Sequence, residues 1–244
     1  MSAERPAMTP DRRIPSDQSV SSGRLAPSGQ PVPSERAVAA AAPFNVGLLG
    51  FGTVGSAFAA LLSERAEHVQ ALTGRRPVLG EPLTTSRGSF AEILDGSELI
   101  VELIGGIEPA REYVLAALRT GKHVVSANKQ LLSQHGEELL EAARAGGAQL
   151  RFEAAVAGVV PVVRVLSESL AAAHVERVHG IVNGTTNFIL SEMTRGSSYE
   201  EALAEAQRQG YAEADPSDDV SGRDAAAKMA ILARLAFGAP VHLD

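Results

Sequence analysis

One glycine-rich segment constrains the fold more than any other part of the chain. Residues 50–55 read Gly-Phe-Gly-Thr-Val-Gly, and they follow the short apolar run Asn45–Leu49. The residues from about 54 to 68 have the pattern of a helix. A G-x-G-x-x-G motif between a strand and a helix is typical of dinucleotide binding, because its glycines allow a tight turn, a close approach of pyrophosphate and close helix packing. We therefore predict cofactor contacts from Gly50, Phe51, Gly52, Thr53, Val54 and Gly55.

Apolar runs alternate with helical segments as far as residue 152. Strands are predicted at 77–85, 98–104, 123–126 and 149–152, and helices at 89–94, 109–120 and 131–145. This alternation predicts a parallel sheet with helices on both faces. Further on, a strand is predicted at 174–182, helices at 188–193, 199–209 and 222–237, and an acidic loop at 210–221. The fold class is thus α/β, a Rossmann-type doubly wound parallel sheet followed by a second region of α+β type.

The first 43 residues differ from the rest of the chain. They hold seven of the 13 prolines, mixed with serine, glycine and alanine, and such a segment buries too little apolar surface to offset its ordering entropy. A targeting peptide is the alternative, but four acidic residues and the lack of an apolar segment argue against it. We predict a disordered extension at 1–43, an NAD(P)-binding domain at 44–150 and a second domain at 151–244.

Composition excludes several classes of function. The net charge is −7 and only 4% of the residues are aromatic, which argues against a nucleic-acid partner. Cysteine is absent, so disulfides, thiolate metal sites and cysteine nucleophiles are excluded. No apolar run reaches the roughly 18 residues of a membrane span. These features predict a cytoplasmic protein.

The end of the second predicted strand bears on the type of dinucleotide. An acidic residue there would bind the ribose 2′-hydroxyl of NAD, but the sequence reads Leu-Thr-Thr-Ser-Arg at 83–87. Ser86 and Arg87 could hold a 2′-phosphate, although a surface arginine in a loop is common. We predict NADP as the preferred cofactor, with NAD as the alternative. Residues at the carboxyl ends of the third and fourth strands, Gly105, Gly106, Ser126 and Lys129, are further candidate cofactor contacts.

Two polar clusters lie in the second region. The turn Asn183–Asn187 could hold a carboxylate or a cofactor amide, or it could simply cap a helix. Asp224 and Lys228 are spaced i, i+4, so the two side chains are neighbours on a helix. They could form a surface ion pair, or a proton donor held beside carboxylates. The acidic loop before them could bind an ammonium group or a divalent metal.

Five motifs in order, GLLGFGTVG, VELIGG, SANKQLL, NGTTN and GYAEADPSDDVSGRDAAAK, closely resemble homoserine dehydrogenase. The resemblance extends from about residue 45 to the end of the chain. It implies an NAD(P)-dependent interconversion of L-aspartate 4-semialdehyde and L-homoserine, on the route to threonine, methionine and isoleucine. It also implies that the α+β region is an incomplete substrate and dimerisation domain, and that the full-length domain forms a homodimer.

The resemblance assigns roles to individual residues. Lys228 matches the catalytic lysine that donates a proton to the aldehyde oxygen, and Asp224 matches its paired aspartate. Lys129 matches a lysine near the cofactor. The matching substrate-binding positions are Glu213, Asp219, Gly184, Thr185 and Tyr211. A monovalent-cation site, for an ion such as sodium, matches Glu153, Val156, Gly158 and Val160.

The sequence departs from the family pattern in two places. Val159 stands where a glycine or alanine is expected, and the sequence ends at Asp244, where family members continue with more of the substrate domain. We therefore expect a truncated catalytic domain with little activity and marginal stability, and with aliphatic side chains of the last helix exposed to solvent. Two rival functions stay open: a non-catalytic NADP-binding remnant, and a dehydrogenase of another amino-acid aldehyde.

Overall fold

A five-stranded parallel sheet organises the chain. The computed structural model describes residues 42–239, 241 and 243, so the disordered extension predicted at 1–43 lies outside the described residues except for its last two positions. The strands are β1 Phe44–Leu49, β2 Pro77–Leu79, β3 Leu99–Glu102, β4 His123–Ser126 and β5 Leu150–Arg151, in the order β2-β1-β3-β4-β5. The strand order reverses between β1 and β3, and ligands of such sheets bind beside the carboxyl ends of the strands at this point.

Helices cover both faces of the sheet, which confirms the predicted doubly wound fold. They are α1 Thr53–Thr73, α2 Phe90–Gly96, α3 Ala110–Arg119 and α4 Lys129–Gly146. Alternate residues of β1 serve opposite faces: Val46 and Leu48 pack with α1, whereas Leu49 belongs to the core formed with α3 and α4. This alternation is the two-residue period of a strand. It explains why β1 is apolar almost throughout.

The second region is mainly helical. It contains a 3₁₀ turn at Glu153–Ala155, a short helix α5 at Val162–Arg164 that continues as a π-helical turn at Val165–Ser169, then α6 Gly184–Thr194, α7 Tyr199–Arg208, α8 Ser217–Val220 and α9 Arg223–Phe237. A small separate core joins α6 to α7. None of the helices within residues 42–239 has the length and apolar character needed to cross a membrane.

Helix α9 packs against α4 and thereby joins the second region to the sheet. Ile231 and Leu232 are both 3% exposed and belong to the same core as Leu132 of α4. Arg234 adds hydrogen bonds from its guanidinium to the carbonyl oxygens of Leu132 (2.9 Å) and Ser133 (3.2 Å). The expectation that the apolar side chains of this helix are exposed to solvent is therefore correct only in part. Ile231 and Leu232 are buried, whereas Met229 is 39% exposed.

Two predicted strands differ from the structure. The strand expected at 77–85 is limited to Pro77–Leu79, with one isolated bridge from Leu83 to Leu49, because Gly80 and Pro82 interrupt it and proline has no N–H for a sheet. Residues 174–182 contain no strand. A strand needs a hydrogen-bonding neighbour, and none of the described strands pairs with this segment.

Close packing of α3 against α4 generates a stability prediction. A Cβ on Gly146 would lie 1.9 Å from the backbone oxygen of Leu118, so Gly146→Ala must push the two helices apart. We expect it to lower the free energy of unfolding by about 2–3 kcal/mol, measured by urea titration. Gly96 is the matched control, because nothing lies within 4 Å of its added Cβ and alanine there should be neutral or slightly stabilising. Equal stabilities of the two variants would contradict the packing described here.

Candidate active site

The turn after β1 forms an open cradle at the carboxyl edge of the sheet. Gly50 has a φ of 98°, and a Cβ there would lie 2.6 Å from the backbone oxygen of Leu103. A Cβ on Gly55 would lie 2.2 Å from the backbone oxygen of Gly50, whereas Gly52 has no atom within 4 Å of an added Cβ. Gly52 is also the N-cap of α1. The exposed backbone at the start of this 21-residue helix therefore suits an anion such as a pyrophosphate.

A cleft of about 540 Å³ lies beside this cradle. Its lining includes Gly50, Phe51, Gly52, Thr84, Ile104 and Tyr113, and the exposed Thr53 and Val54 begin the adjoining helix. Ser86 and Arg87 are exposed on the turn that follows, where the Thr84 hydroxyl oxygen accepts N–H groups from Ser86 (3.3 Å) and Arg87 (2.9 Å). Thus Thr84 orders the turn that carries both candidate phosphate-binding side chains.

The loops after β3 and β4 meet through a buried polar cluster. Glu102, the last residue of β3, is 0% exposed, and its carboxylate accepts a hydrogen bond of 2.6 Å from the hydroxyl of the equally buried Ser126. Gly105 and Gly106 follow with φ values of 78° and 71°. The Ser126 hydroxyl therefore serves this cluster, and it is the backbone of the two glycines that lies at the sheet edge.

Asp224 at the start of α9 joins three segments of the chain. Its carboxylate accepts hydrogen bonds from the Lys129 ammonium of α4, from Lys228 Nζ (2.7 Å) and from Asn183 Nδ2 (2.8 Å). The Asp224 side chain is 3% exposed, against 34% for Lys129 and 19% for Lys228. The predicted i, i+4 pair is therefore confirmed as a contact, and a second ammonium shares the same carboxylate.

The turn before α6 supports this cluster. Asn183 is the N-cap of α6, because its Oδ1 accepts the N–H of Thr186 at 2.8 Å, while its Nδ2 also donates to Asp219 at 2.7 Å. Thr185 donates to the Tyr211 carbonyl (2.6 Å) and to Asp219 (3.1 Å). The turn therefore caps α6, as one of the two predictions had it, and its side chains also join the hydrogen bonds around Asp224 and Asp219.

Hydrogen bonding keeps Asp224 ionised. Burial alone would raise the pKa of its carboxyl, but the hydrogen bonds from Lys129, Lys228 and Asn183 outweigh burial and hold the pKa below its ordinary value of 3.8. Lys228 also donates to the Val182 carbonyl at 2.8 Å. An ammonium has three N–H groups. Within residues 42–239 two of them are taken, by the Val182 carbonyl and by Asp224, and the third has no acceptor there.

Other residues that the sequence singled out lie outside this hydrogen-bonded cluster. Glu213 is exposed, and within the described residues only its backbone carbonyl is bonded, to Gln207. Tyr211 is 54% exposed and stacks on Phe188 with ring centroids 4.7 Å apart. Gly184 is the exposed first residue of α6. All three remain accessible to a ligand.

The segment assigned to a cation is a tight loop. The Glu153 carboxylate accepts the N–H groups of Val163 (3.1 Å) and Arg164 (3.0 Å), so it caps α5. The Val160 carbonyl accepts the N–H of Val162 at 2.8 Å. Val156 is fully buried, Gly158 has a φ of 30° and Val159 is 99% exposed. Among the described residues, no group of three or more histidine or acidic side chains could hold a metal ion.

Two family models match the chain in succession. Residues 50–153 match the NAD-binding domain of homoserine dehydrogenase, and residues 161–244 match homoserine dehydrogenase itself. Together they cover most of the chain.

The chain is also similar to individual proteins that are named homoserine dehydrogenase. The homoserine dehydrogenase of Corynebacterium glutamicum is 48% identical over 217 residues, which are 82% of this chain and 48% of the relative. The crystal structure of a homoserine dehydrogenase from Thiobacillus denitrificans is 45% identical with a TM-score of 0.74, over 82% of this chain and 50% of the other. The structure of a hyperthermophilic archaeal homoserine dehydrogenase in complex with NADPH is 27% identical, with a TM-score of 0.72. The match covers 81% of this chain and 71% of that one. The chain spans about half the length of the curated relatives it matches.

Three features of the site were not predicted from the sequence. Lys129 was not connected with Asp224, which lies 95 residues further along the chain, and Glu102 was given no role. Asn183 was predicted as part of a turn that caps a helix or holds a ligand, but not as a hydrogen-bond donor to Asp224. Glu102 could have been found as a lone charge in an apolar strand.

The pKa of Asp224 generates a prediction about acid stability. Because its pKa is lower in the folded state, Asp224 stabilises the fold above its ordinary pKa, and this stabilisation is lost as the pH falls through the folded-state value. Asp224→Asn should therefore reduce the free energy of unfolding by about 3 kcal/mol at pH 7. The difference from the parent should shrink towards zero in strong acid, as measured by urea titration across the pH range.

Asp218 provides the control for this titration. It is exposed and pairs with Arg223 at 2.9 Å, so Asp218→Asn should change stability by less than about 1 kcal/mol at any pH. A parent-to-variant difference for Asp224→Asn that does not depend on pH would contradict the ionised, hydrogen-bonded carboxylate.

Proposed function

The chain belongs to the homoserine dehydrogenase family, and on this premise we propose that it interconverts L-homoserine and L-aspartate 4-semialdehyde with a nicotinamide cofactor. The reaction would supply threonine, methionine and isoleucine biosynthesis. The observation that carries the proposal is the buried Asp224, which holds two lysine ammonium groups together. Lys129, which begins α4 directly after the carboxyl end of β4, brings this cluster to the edge where such sheets bind dinucleotides.

The residues at the sheet edge fit a dinucleotide. The open Gly52 and the uncovered start of α1 suit the pyrophosphate, and the adjoining cleft is lined by apolar and aromatic side chains. Ser86 and Arg87 would hold the 2′-phosphate of NADP, and Gly105 and Gly106 would offer backbone contacts. When bound, the cofactor supplies or accepts the hydride. The chain's own residues bind it, orient the substrate and move the proton.

Lys228 is the proposed proton donor. In the reduction direction its ammonium would give a proton to the aldehyde oxygen as that oxygen gains charge, and in the oxidation direction the resulting amine would take the proton back from the hydroxyl. Asp224 would fix the position of the ammonium by the 2.7 Å hydrogen bond. Lys129, bonded to the same carboxylate, would add positive charge beside the reacting oxygen.

The substrate's ammonium and carboxylate need separate partners. The exposed Glu213 carboxylate is the proposed partner for the ammonium, because the Asp219 carboxylate already accepts hydrogen bonds from Asn183 and Thr185. Asp219 would then hold Asn183 in place, while Gly184 and Thr185 at the start of α6 would face the substrate carboxylate. Tyr211 would border the same space.

A monovalent cation such as sodium is proposed at the loop of Glu153, Val156, Gly158 and Val160. The proposal is supported by the Glu153 carboxylate, which lies beside a loop in which Ala157 and Gly158 adopt positive φ values of 56° and 30°. Such φ values change the direction in which successive backbone carbonyl groups point. Both Glu153 oxygens already accept backbone N–H groups, so the ion would share this carboxylate with the cap of α5. Its role would be to hold the loop.

The first test of this function removes the proposed proton donor. Lys228→Ala should lower kcat about 10²- to 10⁴-fold in a coupled assay of homoserine oxidation, while NADPH affinity, measured by fluorescence titration, changes less than about threefold. Lys122 is the matched control, because it is the one lysine of the three in the chain that lies outside the Asp224 cluster, and Lys122→Ala should keep full activity.

Three outcomes would contradict parts of this proposal. A Lys228→Ala enzyme with more than about one tenth of the parent kcat would rule out the proton-donor role. A parent chain that binds NADPH but never turns over would favour a cofactor-binding protein without catalysis. Turnover with another amino-acid aldehyde but not with aspartate 4-semialdehyde would assign a different substrate.

The cofactor preference is tested at Arg87. We expect the parent to prefer NADPH, and Arg87→Ala to weaken NADPH binding about 10- to 150-fold while sparing NADH, since one charge-assisted phosphate bond is lost. The control is Arg144→Ala, which changes an exposed arginine on α4. Equal losses for both cofactors, measured by isothermal titration calorimetry, would refute the role of Arg87.

A further inference from the structure

We propose that Glu102 is a positioning residue, which holds the Gly105–Gly106 loop and the start of α4 in the geometry that cofactor binding requires. Glu102 lies in the VELIGG motif at 101–106, but the sequence analysis gave it no role. The inference rests on the proposed function, because it explains how one side chain fixes the two loops that would contact the nicotinamide cofactor.

The carboxylate of Glu102 is buried among hydrogen-bond donors. One oxygen accepts the N–H groups of Ile104 (2.8 Å) and Gly105 (3.2 Å) and, at 3.5 Å, the amide of Asn128. The other oxygen accepts the Ser126 hydroxyl at 2.6 Å. None of these four donors belongs to a basic side chain. Backbone, amide and hydroxyl donors therefore offset the desolvation of the carboxylate.

This carboxylate connects two loops that are distant in sequence. Asn128 donates to the Gly106 carbonyl at 2.6 Å and accepts the N–H of Leu131 at 3.1 Å, so it caps α4 while it contacts the loop after β3. Lys129, the next residue, is the first residue of α4 and bonds to Asp224. A displacement of Glu102 would thus reach the glycine loop directly and Lys129 through Asn128.

The residue type matches this task. A carboxylate offers only acceptors, and all four groups around it donate. A glutamine would place an NH₂ group against the Ser126 hydroxyl or against the backbone N–H groups, and so would leave at least one donor without an acceptor. The loop itself cannot supply the missing order, because Gly105 and Gly106 both adopt positive φ and have wide conformational freedom.

Glu102→Gln is the test, and Glu98→Gln is its matched control. Glu98 lies just before β3, is exposed and pairs with Arg75 at 2.7 Å, far from the carboxyl edge of the sheet. Two quantities are measured on the full chain: the hydrogen-exchange rates of the Ile104 and Gly105 amides without cofactor, and the dissociation constant for NADPH by fluorescence titration. We expect Glu102→Gln to speed exchange about tenfold and to weaken NADPH about tenfold, because a charge-assisted network is lost. Glu98→Gln should change neither.

The exchange rates and the NADPH dissociation constant together distinguish failure of this inference from failure of the proposed function. Unchanged exchange in Glu102→Gln would overturn the positioning role whether or not the parent binds NADPH, and so would faster exchange with unchanged NADPH affinity. A parent that shows no NADPH binding would overturn both the cofactor role and the proposed function.

Ser126→Ala provides a second variant if Glu102→Gln does not fold. It removes the hydroxyl that donates to Glu102 and that accepts the Asn128 N–H at 3.1 Å, but it keeps the carboxylate. We therefore expect it to weaken NADPH binding less than about fivefold while leaving the Ile104 amide protected. Ser126→Ala with exchange as fast as in an unfolded loop would contradict the assignment of Glu102 as the group that holds the loop.

Discussion

The arrangement of the site depends on one buried carboxylate that accepts hydrogen bonds from two lysines and an asparagine. Lys129 begins α4, Asn183 is the N-cap of α6 and Asp224 lies in the first turn of α9, and the Asp224 carboxylate brings these helix starts to one point. The two lysines neutralise the charge that burial would penalise, and Asn183 donates to the same carboxylate oxygen as Lys228. Arg234 also ties α9 to α4 by hydrogen bonds.

The sheet imposes a second constraint, because all its strands run in the same direction. Parallel strands bring all their carboxyl ends to one edge, and the reversal of strand order between β1 and β3 opens a crevice there. The glycine turn after β1, the glycine pair after β3 and Lys129 after β4 therefore share an edge although up to 79 residues separate them in sequence (50 to 129). In this fold, the position of a side chain along a strand decides its function more than its neighbours in sequence do.

Those features of the fold and the site that depend on local sequence patterns could be predicted from the sequence. The alternation of strands and helices indicated the sheet, the glycine motif indicated the cradle, and i, i+4 spacing indicated the contact of Asp224 with Lys228. Contacts that arise only from packing were not predictable in this way: Lys129 meets Asp224 because α4 crosses α9, and nothing near either residue encodes that crossing. The strand expected at 174–182 failed for a related reason, since pairing depends on a neighbour rather than on the segment's own residues.

The proposed reaction requires that the Asp224 cluster faces both the bound cofactor and the substrate. A crystal structure of the chain with NADP⁺ and L-homoserine would show whether it does. We expect the pyrophosphate over the Gly52 amide and the substrate hydroxyl within about 3 Å of Lys228 Nζ, with Lys129 and Asp224 still bonded. A ternary complex in which the substrate lies away from Lys228, or in which the cofactor leaves the glycine turn empty, would contradict it.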